Sequence, residues 1–111
     1  MDLSPLIKVY FSHHNCVLYD NGNVACWGDN SYGQSTVPTL NNPTQISTGT
    51  YHSCALDDSG IVCWGNNSYG QITVPSLSNP SKISTGTYHS CALDDTGVVC
   101  WGHSSYAKNG I

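Results

Sequence analysis

From Tyr51 to Leu56 the side chains alternate, with His52, Cys54 and Leu56 on one face and Tyr51, Ser53 and Ala55 on the other. A period of two predicts a strand. Asp57 to Gly60 reads as a turn, Asp suiting its start and Gly supplying a positive φ at its end, and Ile61 to Trp64 returns antiparallel. If Leu56 lies opposite Ile61, Cys54 lies opposite Cys63.

The pattern recurs along the chain. "STGTYHSCALDDSGIVCWG" at 47–65 returns as "STGTYHSCALDDTGVVCWG" at 84–102, an offset of 37 with two substitutions, Ser59 to Thr96 and Ile61 to Val98. A diverged copy, "HHNCVLYDNGNVACWG", occupies 13–28, and the linker at 29–46 repeats at 66–83. The tail "HSSYAKNGI" begins that linker again, with Ala107 and Lys108 where Gly and Gln stood. The chain therefore divides into units of about 4–28, 29–65 and 66–102 within one array, 1–111, and 103–111 is a partial fourth linker. The first copy has one extra turn residue, yet pairing Leu18 with Val24 still sets Cys16 opposite Cys26, around a three-residue loop with Gly22 at its left-handed position. A turn that changes length while its cysteines stay opposed indicates that the sulfurs must meet.

Directly opposed strand residues lie close enough for a disulfide, which gives Cys16–Cys26, Cys54–Cys63 and Cys91–Cys100. Each bridge closes a loop of about ten residues and contributes about 2.5 kcal/mol in the chain-entropy view. Zinc is the competing reading, because His14, His52 and His89 each precede a cysteine by two; the usual paired Cys-x2-Cys elements are missing, and a repeated strand histidine more simply hydrogen-bonds a neighbouring backbone. A redox thiolate would need positive charge beside it, and the chain has three Lys and no Arg.

Composition narrows the function classes. Charged residues make up 9 % of the chain and the net charge is −4, so no basic stripe is present to meet a phosphate backbone, and nucleic acid is not expected as a partner. Ser, Thr and Asn supply about a third of the residues, a loop-rich all-β composition suited to an extracellular surface. Apolar runs are too short for a membrane span, and "MDLSPLIKVYF" lacks the basic and apolar regions of a signal peptide. No nucleophile, base and orienting acid assemble into a catalytic set, and no cofactor loop is present. "DDSG" and "DDTG" have too few ligands for a calcium loop and read as hairpin turns. Trp27, Trp64 and Trp101, each before a Gly at a strand end, are expected to pack between units. Asn66 heads the one glycosylation sequon.

At "HSCALDDSGIVCWGNNSYGQ" the chain resembles the repeat of the regulator of chromosome condensation family, in its short-bladed secreted form, and is similar to the β-lactamase-inhibitor propellers in the linker "GQ(T)TVP". The resemblance implies one β-propeller blade per unit and a non-catalytic protein- or glycan-binding role. Binding relatives place their contacts at the aromatic before His-Ser and in the "NSYG" loop. Those positions are Thr50, Tyr51, Thr87 and Tyr88, then Asn30, Ser31, Tyr32, Asn67, Ser68 and Tyr69, with His13 at the aromatic place of the first copy. The alternative for the tyrosines is packing between blades. Relatives close rings of about seven blades, which three units cannot do, so completion by other copies as a homo-oligomer is the second expectation.

Overall fold

The computed structural model describes residues 13–103. It is all-β and built of propeller-type blades, with no helix among the described residues. Eight strands, β1 (His14–Leu18), β2 (Val24–Gly28), β3 (Gln45–Thr48), β4 (His52–Asp57), β5 (Gly60–Gly65), β6 (Lys82–Thr85), β7 (His89–Asp94) and β8 (Gly97–Gly102), form three antiparallel sheets, ordered β1-β2, β3-β4-β5 and β6-β7-β8. Residues 4–12 of the first unit and 104–111 of the partial fourth linker lie outside the described residues.

The hairpin register is set by turn chemistry. In β4-β5, Asp57 pairs with Gly60 (φ 115°) around a two-residue turn, so Leu56 faces Ile61 and Cys54 faces Cys63. In the first unit the Tyr19 N–H donates to the Asn23 carbonyl at 2.8 Å and closes a three-residue loop with Gly22 at φ 89°, which leaves Cys16 opposite Cys26. The structure joins Cys16–Cys26, Cys54–Cys63 and Cys91–Cys100, across Cα separations of 4.1, 4.0 and 4.0 Å. Each acidic turn also grips the preceding linker. Asp57 accepts the Asn41 N–H at 2.9 Å on one oxygen and the Ser59 N–H and O–H at 2.8 and 2.6 Å on the other. Asp94 repeats this with Ser78 and Thr96, and these donors hold its carboxyl below the ordinary aspartate value.

Strand alternation then decides which residues meet the neighbouring sheets. On β4, His52, Cys54 and Leu56 face the third unit, whereas Ser53 and Ala55 face the first, as the side-chain contacts of His52 and Ser53 show. The middle sheet is covered on both faces: Cys54 is 1 % exposed, and His52, Ser53 and Ala55 are fully buried. Apolar burial is thin, because beside Pro43 in the linker the buried apolar side chains of the described residues are Cys54, Ala55, Trp64 and Ala92. Burial of one aromatic and three small side chains contributes only a few kcal/mol, at about 1.5–3 kcal/mol for a large side chain. Polar contacts therefore carry much of the cohesion between units, while each disulfide braces the hairpin of its own unit.

Candidate binding rim

The units are joined by a relay that repeats from one interface to the next. His14 Nε2 lies 2.6 Å from Ser53 Oγ, and the Ser53 hydroxyl donates to the Gln34 carbonyl at 2.9 Å. The Trp64 indole donates to that same carbonyl, also at 2.9 Å. One unit later, His52 Nε2 lies 2.9 Å from Ser90 Oγ and 3.1 Å from the His89 carbonyl, while Ser90 and the Trp101 indole converge on the Gln71 carbonyl at 2.8 and 2.9 Å. Because a carbonyl only accepts, His52 must carry its proton on Nε2. His14 must do the same, because the Ser53 proton is directed at Gln34. In both rings Nδ1 is buried without a hydrogen-bond partner.

The Gln34 and Gln71 side chains, both fully buried, anchor the "NSYG" loops. Gln34 Oε1 accepts the Tyr32 N–H at 2.9 Å and its amide reaches Asp29 at 3.3 Å; Gln71 does the same to Tyr69 and Asn66, at 2.9 and 3.0 Å. Gly65, at φ 114°, makes the sharp exit from β5 into this loop, and a Cβ there would meet the Tyr51 carbonyl at 2.7 Å. The relay thus fixes the height of each loop above its sheet.

That placement assembles an aromatic row. Tyr32 meets Tyr51 edge-on at 5.6 Å between ring centroids, Tyr51 stacks with Tyr88 at 5.9 Å, Tyr88 meets Tyr69 edge-on at 5.1 Å, and Tyr69 meets His103 edge-on at 4.5 Å. Loop tyrosines and strand-end tyrosines of successive units interleave along one rim. Tyr32 and Tyr69 are 51 % and 47 % exposed, while Tyr51 and Tyr88 are half-buried beneath them. The row therefore packs across units and also presents aromatic surface, each ring pair adding about 0.5–1.5 kcal/mol of mutual rigidity.

The other expected positions divide by role. Asn30 donates to Thr36 at 3.0 Å and accepts the Ser35 N–H at 2.8 Å, and Asn67 bonds Thr73 and Ile72 in the same way, so both amides are engaged inside their loops. Ser31 and Ser68 stand exposed at the loop tips. Thr50 and Thr87, with Gly49, Gly86 and His13, line an open cleft of about 530 Å³ beside the row. Asn66 Oδ1 accepts from Ser68 N–H and the Gln71 amide, at 2.9 and 3.0 Å.

The histidines hold no metal cluster: among the described residues no three His, Cys, Asp or Glu groups come together as ligands. Burial lowers all three, because a charged ring would lose its water. His52 is drawn furthest, to about 4, by desolvation first and by the neighbouring His14 and His89 second, against the opposing bond to the His89 carbonyl. No sequence signal of period or composition picks out this relay. The trace it leaves is the coincidence of His-Ser and Gly-Gln at the same offset in successive units.

Comparison with known proteins agrees with the architecture. The family model of the regulator of chromosome condensation (RCC1) repeat matches residues 12–34, 44–71 and 81–107, and the chain belongs to this repeat family. A sequence comparison with curated proteins finds no match. Among solved structures, the chain is similar to the ectodomain of the Physcomitrella patens receptor kinase CR4, with 28 % identity over 88 % of this chain and 29 % of that one, at a TM-score of 0.71. It is also similar to the CRINKLY WD40 ectodomain of the Arabidopsis thaliana receptor kinase ACR4, with 31 % identity over 82 % and 34 % of the two chains, at a TM-score of 0.68. Prp20p from Saccharomyces cerevisiae, at 24 % identity over 90 % and 31 % and a TM-score of 0.70, shares the fold. The chain spans about a third of the length of each of these proteins.

Proposed function

We propose that the chain is a non-catalytic extracellular interaction module that binds a protein, or a glycan, along its tyrosine rim. The observation that carries this reading is the continuous row Tyr32, Tyr51, Tyr88, Tyr69, held at a fixed height by the buried Gln34 and Gln71 anchors. Tyrosines that are already packed supply contact area at little entropic cost, and Ser31 and Ser68 beside them add hydrogen-bonding groups. Protein is the partner class the relatives favour. The Prp20p structure is described with its binding to Gsp1p and histones, and another structure holds yeast RCC1 bound to Kap60. The three disulfides and the two receptor ectodomains support an extracellular setting. No helix among the described residues is long and apolar enough to cross a membrane.

The test is selection with the immobilised, disulfide-intact chain from a random-peptide display library and, in parallel, on a glycan array. Enrichment of a peptide motif supports a protein partner and enrichment of one sugar class supports a glycan. Enrichment of neither removes the reading.

A second reading, self-association, is favoured by one observation: Leu93 and Val98 on the third sheet are 40 % and 57 % exposed, whereas their counterparts Leu56 and Ile61 are half-buried against a neighbouring unit.

A further inference from the structure

The two ends of the array carry opposite halves of one interface. Between the second and third units, the forward half presents His52, the Cys54–Cys63 disulfide, Leu56 and Ile61, and the receiving half presents Ser90, Ala92 and the Trp101 indole. The disulfide lies directly under the serine, with Cys54 Sγ 3.6 Å from Ser90 Oγ. Between the first and second units the same pieces meet, with Cys16 Sγ 3.8 Å from Ser53 Oγ. This docking surface is therefore used twice within the chain.

At the far end of the array, the forward half of the third unit repeats the same chemistry. Ile83, His89, Cys91, Leu93 and Val98 line a shallow, largely apolar cleft of about 290 Å³. At the near end, the receiving half of the first unit holds Asn15, exposed in the place of Ser53, and Trp27, whose indole N–H is buried without a partner. In the other two units that N–H donates to the carbonyl of a Gln in the preceding linker. The first unit thus lacks the acceptor that a preceding linker of the same repeat supplies to Trp64 and Trp101.

Resting on the self-association reading, we infer that the forward face of the third unit receives the first unit of a second copy of this chain, head to tail. The contact continues the interface already built between units. Leu93 and Val98 pack against the Trp27 side of the second copy. The contact is heterologous, and two copies close it into a six-unit ring if the rotation between units allows. The strand pattern makes the end faces selective, because a copy that arrives reversed sets two forward faces together and leaves Trp27 unmatched.

The experiment is sedimentation equilibrium of the disulfide-intact chain at about 1 to 100 µM, beside Val98→Asp and Trp27→Phe. Val98 is exposed, so its substitution leaves the fold intact, which circular dichroism checks. The expected result is a mass of twice 11.9 kDa for the wild type and a dissociation constant raised by about tenfold or more in Val98→Asp, with a smaller rise in Trp27→Phe. A wild type that stays at 11.9 kDa throughout overturns self-association and this interface together. A wild-type oligomer that Val98→Asp leaves unchanged overturns the interface alone.

Discussion

Replacing Ser53 with Ala isolates the relay that holds the units together. The hydroxyl is fully buried, meets His14 Nε2 at 2.6 Å and donates to the Gln34 carbonyl at 2.9 Å. Alanine removes both bonds while adding no volume. The Gln34 carbonyl keeps the Trp64 indole as its donor, but the His14 N–H loses its partner in a site that is 3 % exposed. A buried donor left without a partner costs about 1–3 kcal/mol, so the unfolding free energy should fall by about 2 kcal/mol. Urea unfolding without reductant, followed by tryptophan fluorescence, measures this. A double-mutant cycle with His14→Ala should return a coupling of about 1 kcal/mol, because the two groups then fail together. Loss of less than about 0.3 kcal/mol in Ser53→Ala, or a coupling indistinguishable from zero, would show that the contact is geometric only and that the units are held by other means.

Other outcomes follow from the same contacts. Because burial depresses the His52 pKa, the unfolded chain takes up a proton that the folded one refuses; stability is full above about pH 6.5 and falls as pH drops toward 4, by about 3 kcal/mol for this residue. Unfolding midpoints measured from pH 7.5 to 4 should show this, and a flat profile would contradict the neutral, buried state. His14 and His89 are lowered in the same direction and deepen the fall. Removing the middle bridge as Cys54→Ala/Cys63→Ala should lower stability by about 2–3 kcal/mol, with a further loss from the cavity at fully buried Cys54; a change below about 1 kcal/mol would place the stabilisation elsewhere.

The hairpins were legible because their information is local. Alternation and turn length fix the register of Cys54 against Cys63, and the extra residue around Gly22 was readable as a three-residue loop. The blade architecture followed from the repeat and its resemblance. What joins blades was hidden. A histidine on a strand face was expected to bond a neighbouring backbone, and for His52 that carbonyl belongs to His89, in the next unit, with a serine hydroxyl beside it. Such contacts depend on the angle between sheets, which no local pattern encodes. The tyrosines were open to two readings, binding or packing; Tyr51 and Tyr88 stack between units, while Tyr32 and Tyr69 stand exposed, the surface on which the proposed binding rests. The doubled aspartates read as hairpin turns, yet Asp57 and Asp94 also fasten the linkers, through backbone N–H groups sixteen residues away that leave no mark on composition.

The rim is the centre of this account, and calorimetric titration of the ligand enriched by selection, with wild type and with Tyr51→Ala/Tyr88→Ala, tests it most directly. The pair lies at the middle of the row, and truncating two buried-edge tyrosines should weaken binding by about thirtyfold or more, about 2 kcal/mol, with the unfolding transition still cooperative. Equal affinity in the two proteins would contradict the rim as the binding surface.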